Sequence, residues 1–393
     1  MTTPRRPRVG ILGGGQLALM LAESLIELGA DPAIYEPDGD APARRRFALG
    51  ITRPYEDRVA LRAFLDDCDV VTYEFENVPA LAIRAARSKT PILPSLDVLE
   101  VCQHRGREKR ALRKANVPTV AFASVLDRAD LVSALESFGL PAIVKTATGG
   151  YDGHGQRRYE SLAEVDSQHF PPDVELVIEE VIAIELEVSC IVARRGEDMV
   201  TLPLFENRHR SHILDVTLCP ARISPVAARR VTAIAKRLAR SLAAEALLTV
   251  EFFIGQGRRG HGVPLPGMNG ARLYVNELAP RPHNSGHVSR IACDRSQFDL
   301  HARAVLGMKL PAPKLVGGDV AWMANLLGGQ WPNARDERRV FGALAANPLV
   351  RELYLYGKSS ARAGRKMGHL SGFAKNHVSA LAAAARVRRA AGL

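Results

Sequence analysis

Two glutamates in this chain stand in apolar surroundings that make a charge costly. Glu251 interrupts Thr249-Val250-Glu251-Phe252-Phe253, and Glu277 ends Tyr274-Val275-Asn276-Glu277. A carboxylate in such a place must be paired or coordinated. Two strand-borne carboxylates aimed at one point suit a divalent cation bridging phosphates, whereas salt bridges to the chain's many arginines are the plainer alternative. A lysine and a run of glycines add a second chemistry. Lys145 closes the apolar stretch Ala142 to Lys145, ahead of Thr148-Gly149-Gly150-Tyr151-Asp152-Gly153-His154-Gly155-Gln156. These glycines let a hairpin close over phosphates, and Lys145 can set a fixed cation against them. No Gly-Lys-Ser/Thr follows, so the segment is not a Walker A loop. A flexible surface hairpin would explain the glycines but not Lys145, Tyr151 and Asp152 beside them.

Three weaker signals follow. Gly13, Gly15 and Ala18 fit G-x-G-x-x-G/A, with Glu36 and Asp38 about twenty residues on, as in a dinucleotide-binding turn. Any tight strand-to-helix turn would look the same, and either one offers backbone N–H groups to a phosphate or carboxylate. Leu278-Ala279-Pro280-Arg281-Pro282-His283-Asn284-Ser285-Gly286-His287 is a binding loop dense in donors; its prolines and glycine oppose the helix that a zinc-binding histidine pair would need. Lys358, Arg362, Arg365 and Lys366 bracket Gly364, as a phosphate clamp or as a solvated basic face.

The elements that must hold these residues read as a βαβ opening: strand Val9 to Leu12, helix Gln16 to Leu28 closed by Gly29, and strand Ala33 to Tyr35. Val70 to Phe75 is a further strand, and Pro91 to Pro94 a short extended piece, so a first α/β unit ends near residue 100. A basic helix, Arg105 to Ala115, comes next. Asp130 is placed where it can cap the helix expected from Leu131 to Phe138. Strands are expected at Ala142 to Lys145, Leu176 to Glu180, Glu187 to Ala193, Leu248 to Ile254 and Arg272 to Glu277, the last two paired. An Ala- and Arg-rich helix runs from Pro225 to about Glu245. Short strands at Ala321 to Leu326, Leu353 to Tyr356 and His369 to Phe373, then a basic helix, finish the chain.

Length and composition bound the answer. The 393 residues, 47% hydrophobic and 24% charged, call for two or three domains. The 53 Lys and Arg against 42 Asp and Glu give +11, which invites a polyanion partner. Nucleic acid is disfavoured because no basic run is interleaved with aromatics, which make up only 6% of residues. The five cysteines are odd in number and dispersed, so a reducing cytoplasm is expected. The N-terminal arginines precede an apolar stretch broken by glycines and Glu23, which is an amphipathic helix and not a signal peptide, and no window approaches the roughly 18 apolar residues of a membrane span.

Taken together, Gly-Gly-Gly-Gln-Leu, Lys145 with Gly-Gly-Tyr-Asp-Gly, Glu251, Asn276-Glu277-Leu-Ala-Pro-Arg-Pro-His-Asn-Ser-Gly-His and Gly-Arg-Lys-Met-Gly-His resemble the ATP-grasp superfamily. Within it they resemble the 5-(carboxyamino)imidazole ribonucleotide synthase family of purine biosynthesis, over about residues 8 to 373. The resemblance implies α/β and α+β architecture in several domains, an ATP-grasp fold with a Rossmann-like pre-ATP-grasp domain and a small β-rich C-terminal domain. The corresponding spans are 1–102, 103–200 (lid and linker), 201–310 (metal and nucleotide region) and 311–393. It implies ATP contacts from Arg105, Lys145, Gly150, Tyr151, Asp152, Gly153, His154, Gly155, Gln156, Glu179, Glu180, Val181, Ile182, Glu187, His209, Asn276 and Glu277, with Mg2+ on Glu251 and Glu277. For the ribonucleotide it implies Gln16, Leu17, Glu74, Tyr151, Asn284, Lys358, Arg365 and Lys366, and for catalysis Asp152, Arg281 and Lys358. The implied substrates are ATP, bicarbonate and 5-aminoimidazole ribonucleotide, in a cytoplasmic homodimer. The nearest rival is a formate-using glycinamide ribonucleotide formyltransferase of the same superfamily, which Tyr151-Asp152 disfavours. A nicotinamide-dependent dehydrogenase rests on the first loop alone.

This chain departs from its relatives at Ala18, usually Gly, and at His154, usually Arg or Lys. Ala279 takes a place where many ATP-grasp enzymes carry an Asn metal ligand, and strict strand alternation would turn Asn276 away from Glu277 unless the backbone bulges. Asp152 is the ionisable group of the loop that must close, and it is expected to handle a proton or to orient the carboxylating intermediate. Asp152→Asn should therefore uncouple ATP hydrolysis from carboxylation, seen as ADP formed in excess of carboxylated product. Full, coupled turnover in that variant would exclude the role.

Overall fold

The computed structural model describes residues 5–150, 155–259, 261–333 and 336–392. The N-terminal unit is a four-stranded parallel sheet in the order Gly50–Ile51, Asp31–Tyr35, Arg8–Leu12, Val70–Tyr73. The glycine turn leads into the helix Gln16–Glu27, whose face from Leu17 to Leu25 is buried. The fourth strand ends at Tyr73, two residues earlier than its apolar run predicts. Its next residue, Glu74, still donates its N–H to the Leu12 carbonyl, and its carboxylate accepts from the Gly15 and Ala18 N–H groups. The predicted Pro91–Pro94 piece is a single bridge, Ile92 to Val71.

A second, antiparallel sheet runs Phe122–Val125, Leu176–Glu180, Ala142–Thr146, Gln156–Tyr159 and packs on the helix Leu131–Phe138 around Val125, Leu135, Val144 and Ile178. It carries the Lys145 and glycine-loop segment. The third sheet has ten strands and is the body of the molecule. Its centre is the antiparallel pair Ala183–Arg195 and Ala246–Gln256, in one register from Ala246 opposite Arg194 to Ile254 opposite Leu186, after which the register shifts by one residue. Both strands outrun their sequence predictions because a strand flanked on both sides keeps its ladder bonds through polar residues.

The helix Pro225–Ser241 covers one face of this pair. Ser224 caps it by accepting from the Ala227 N–H, Pro225 sits at its first turn, and Ala227, Val231, Ile234, Ala235 and Leu238 are buried at helical spacing. It stops at Ser241, short of Glu245, because the chain turns left-handed at Ala243 (φ 50°) to enter the next strand. The opposite face receives the helix Gln297–Val305, which also packs on Gln16–Glu27 and so seats the first unit on the body. Thr72 and His301 share a buried 2.8 Å hydrogen bond across that seam.

The C-terminal strands Val320–Leu327, Lys366–Ala374 and Glu352–Leu355 extend the same sheet through Ile213–Cys219, and the helix His377–Ala390 covers them over Trp322. The strand Phe205–Arg210 escapes sequence periodicity because Asn207 to Arg210 is polar and takes its strand geometry from its neighbours, whereas its partner Ile213–Cys219, Ile-Leu-Asp-Val-Thr-Leu-Cys, carries a strand signal of its own. Tyr354 returns to the first unit by donating to Glu23, 2.8 Å away, and Arg290 joins Glu23 and Glu352. Among the described residues no helix is long and apolar enough to cross a membrane.

Candidate active site

Strands Ala246–Gln256 and Arg272–Ala279 are antiparallel neighbours, and their register sets Glu251 opposite Glu277. One step on, Phe252 is opposite Val275, so Asn276 is an extra residue in its strand. A bulge of this kind re-aims side chains that plain alternation would separate. Asn276 and Glu277 accordingly line one cleft together with Arg105, Lys145, Gly150 and Glu179. Glu76, Gln103 and Glu108, which the sequence did not single out, line it too.

The two strand carboxylates are held differently. Burial pushes Glu251 up, but His283, 2.7 Å away, with His209 and Arg281 behind it, outweighs burial and brings Glu251 down to about 2. Glu277 is raised, first by burial and then by the charge on Glu251. Among the described residues no three His, Cys, Asp or Glu side chains form a protein-only metal cage. A pair of carboxylates, one of them short of cationic neighbours, is the donor set of a hard cation that takes its other ligands from phosphate and water.

Across the cleft Glu179 lies between two ammonium groups, Lys145 at 2.5 Å and Lys109 at 3.1 Å. Burial raises Glu179, yet the two lysines bring it down to about 2. Lys109 is only 1% exposed and the sequence reading passed it over. The signal was present: Gly106, Lys109 and Leu112 recur every three residues along the buried face of Arg105–Lys114. Glu108 on the same helix is pushed up to about 8 by burial and by Glu277. Arg105 braces the glycine loop, donating to the Thr146 and Gly150 carbonyls at 2.8 and 3.0 Å.

Glu180, Val181 and Ile182 follow at the end of their strand, with Glu180 accepting from the Arg259 N–H at 2.6 Å. Glu187 and His209 meet at 2.8 Å on adjacent strands; burial lowers His209, but Glu187 raises it overall. Gly155, at φ 72°, returns the chain to Gln156 at the start of the next strand. Tyr151, Asp152, Gly153 and His154 lie outside the described residues.

The first loop departs from the dinucleotide expectation. Gly14 donates to Glu36 at 2.7 Å, while Gly15 and Ala18 donate to Glu74 at 2.9 and 3.3 Å. A Cβ on Gly14 would fall 2.7 Å from Glu36, and one on Gly15 would fall 2.6 Å from Glu74. The helix N-terminus is thus filled by the protein's own carboxylates, and a pyrophosphate has no seat there. Glu36 is spent on this turn, accepting from the Gly14 and Asp38 N–H groups.

Gln16 and Leu17 open that helix beside Glu74, which is buried and raised by desolvation. Lys358 feels the charge of Glu74, yet burial and then Arg365 lower it to about 8. Its ammonium donates to the Lys366 carbonyl at 2.7 Å, while Arg365 donates to Ser360. Lys358, Arg365 and Lys366 therefore form one basic group facing the first loop. Arg281 is ion-paired with Glu76, which lines the cleft, and its charge is felt by Glu74, Glu76 and Glu251 alike. Asn284, nearby in the chain, keeps Nδ2 and Oδ1 buried without a hydrogen-bond partner among the described residues.

A small antiparallel sheet carrying a lysine ahead of a glycine loop, beside a larger sheet whose bulged strand brings paired carboxylates to the same cleft, is the architecture of an ATP-grasp enzyme. The ATP-grasp domain family matches residues 110–298, the ribonucleotide synthetase preATP-grasp domain 7–103, and the phosphoribosylaminoimidazole carboxylase C-terminal domain 321–383. The N5-carboxyaminoimidazole ribonucleotide synthase of Staphylococcus aureus strain MRSA252 is 38% identical over 366 residues, covering 92% of this chain and 91% of that protein. An ADP complex of N5-carboxyaminoimidazole ribonucleotide synthetase superposes with a TM-score of 0.86 at 33% identity, covering 99% of this chain and 98% of that one. The Aspergillus clavatus synthase in complex with ADP and 5-aminoimidazole ribonucleotide gives 0.86 at 27% identity, covering 98% of each chain. The chain belongs to the N5-carboxyaminoimidazole ribonucleotide synthase family.

Glu179 offers a direct test of the charge balance. Its folded value of about 2 lies below the ordinary 4.5, so the stability it contributes is present above 4.5 and is lost as pH falls towards 2. Glu179→Gln leaves Lys109 buried beside a neutral amide and should cost about 3–5 kcal/mol at neutral pH. Denaturant unfolding should show this gap at pH 7 and its shrinkage below pH 4.5. Equal stabilities at pH 7 would refute the pairing.

Proposed function

We propose that this chain carboxylates the exocyclic amine of 5-aminoimidazole ribonucleotide, using ATP and bicarbonate and releasing ADP and phosphate. The observation that carries the reading is the linkage of Arg281, ion-paired with Glu76 in the lining of the cleft that Glu277 shares and acting also on Glu74, whose charge is felt by Lys358 in a basic group suited to a ribose 5-phosphate. In the first step a bicarbonate oxygen attacks the γ-phosphorus, the bond to the bridging oxygen of ADP breaks, and carboxyphosphate forms. In the second the amine attacks the carboxyl carbon, directly or as CO2, phosphate leaves, and the amine gives up a proton. Phosphoryl transfer of this kind needs alignment and charge neutralisation more than a protein nucleophile.

Lys145 would place its charge on the phosphates once they draw it from Glu179. Arg105 would hold the glycine loop down, and Glu180 to Ile182 would present backbone groups to the adenine edge with Glu187 on the ribose. Arg281 would hold bicarbonate or carboxyphosphate. Glu251 and Glu277 would hold Mg2+, which when bound neutralises phosphate charge. Gln16, Leu17, Glu74 and Asn284 would surround the ribonucleotide, with Tyr151 and Asp152 closing over it, which keeps water from a labile intermediate. Kinship with the family supports a homodimer, and five free thiols support a reducing, cytoplasmic setting.

ADP release measured with and without 5-aminoimidazole ribonucleotide, in bicarbonate-depleted and bicarbonate-replete buffer, should require both. Formate in place of bicarbonate should give no product; formylation of glycinamide ribonucleotide would overturn the assignment. Lys358 supplies a pH test. Held to about 8, it is an ammonium below that pH and a neutral amine above it. As a phosphate-binding cation it should let KM for the ribonucleotide rise about tenfold between pH 7 and pH 9, and Lys358→Arg should flatten that rise. A KM that is level across the range in the wild type would exclude the role.

A further inference from the structure

Lys109 and Glu108 have no place in the function proposed above, yet both meet the strand that carries Asn276 and Glu277. Beyond Leu273 the outer edge of Arg272–Ala279 runs past its strand partner Val263–Pro264, and its backbone groups need other partners. Val275 donates to the Pro118 carbonyl at 2.8 Å, and the Val275 carbonyl accepts from the Thr119 hydroxyl at 3.0 Å. The Asn276 carbonyl accepts from Lys109 Nζ at 2.9 Å, and the Leu278 N–H donates to Glu108 Oε2 at 3.0 Å. Lys109 completes its donor set on Glu179 Oε1 at 3.1 Å and Thr119 Oγ1 at 3.5 Å. Adjacent residues of one helix thus grip the strand on either side of Glu277, and the same ammonium ties the bulge to the lid carboxylate that holds Lys145.

We propose that Glu108 and Lys109 are positioning residues that hold the bulge at Asn276, so that Glu277 and Asn276 meet the metal-bound nucleotide. A bulge leaves its extra residue outside the regular ladder, and here the ladder's missing partners are supplied by side chains of the helix Arg105–Lys114. A lysine that is 1% exposed and has three acceptors within 3.5 Å is a built contact and not a surface charge. This inference rests on the reading of Glu251 and Glu277 as the Mg2+ carboxylates.

The test is calorimetric binding of ADP to the full chain, with and without Mg2+ and without ribonucleotide, alongside steady-state kinetics. Lys109→Met removes all three donors at similar volume and should weaken Mg2+-dependent ADP binding about 10–100-fold, in line with other partners that orient metal ligands. KM for ATP should rise and kcat fall, while KM for the ribonucleotide stays at its wild-type value. Lys109→Arg should recover part of the loss. Glu108→Gln, which keeps an acceptor for the Leu278 N–H, should retain more ADP affinity than Glu108→Leu; this pair carries the same readouts should Lys109→Met not fold. Unchanged Mg2+-dependent ADP affinity in Lys109→Met or Glu108→Leu overturns the proposal, as does an equal rise in KM for both substrates. ADP binding to the wild type that ignores Mg2+ overturns the metal reading of Glu251 and Glu277, and the proposal with it.

Discussion

Burying carboxylates around one cleft is the constraint to which the rest of this site responds. Glu108 and Glu179 are buried and Glu251 is partly so, while Glu277 keeps solvent exposure although the cleft desolvates it; Glu108 feels Glu277, and Glu277 feels Glu251. A buried carboxylate costs several kcal/mol if left ionised and alone. The fold answers them unequally. Glu179 is shared by two lysines, Glu251 is held by His283, and both stay ionised far below the ordinary range. Glu277 and Glu108 are pushed up, so the unmet demand for positive charge is concentrated at the floor of the cleft. A cation arriving with a nucleotide meets that demand, which is how a stability problem becomes a binding site.

The same economy of charge explains why two glycine turns of similar appearance do different work. In the turn at Gly13 to Gly15 the backbone donors are consumed by Glu36 and Glu74, so the N-terminal unit turns a nucleotide-binding geometry inward and uses it to fix Glu74 opposite Lys358. At Gly149 and Gly150 the chain is braced from below by Arg105, and Lys145 is held by Glu179, a partner that also has Lys109. A phosphate that takes Lys145 leaves Glu179 still paired. The lid lysine can therefore change partners without stranding a buried charge.

Much of this was legible along the chain. Glu251 and Glu277 were visible because a charge inside an apolar strand is costly wherever the strand lies. Lys145 was visible from the strand and glycine loop around it, and the βαβ opening from the turn and the helical spacing of Leu17 to Leu25. The strand at Phe205–Arg210 was not, since residues such as Asn207 and Arg208 owe their conformation to the flanking strands and not to local preference. Lys109 and Glu108 were hidden among the charges of a basic helix, where only the spacing to Leu112 marks the buried face.

The sequence by itself determined the inventory of chemistry: the buried-strand carboxylates, the lysine before a closing loop, the arginine in a rigid proline turn, and the late basic group. Their types and local settings are properties of neighbouring residues, and neighbours are what a sequence records. Only the tertiary structure decided which of them act together. The bulge at Asn276, the occupation of the first loop by Glu36 and Glu74, and the grip of Glu108 and Lys109 on the Glu277 strand each join residues between 22 and 170 positions apart. Such pairings are fixed by strand register and by the need to satisfy buried polar groups, and those demands exist only once the chain has folded.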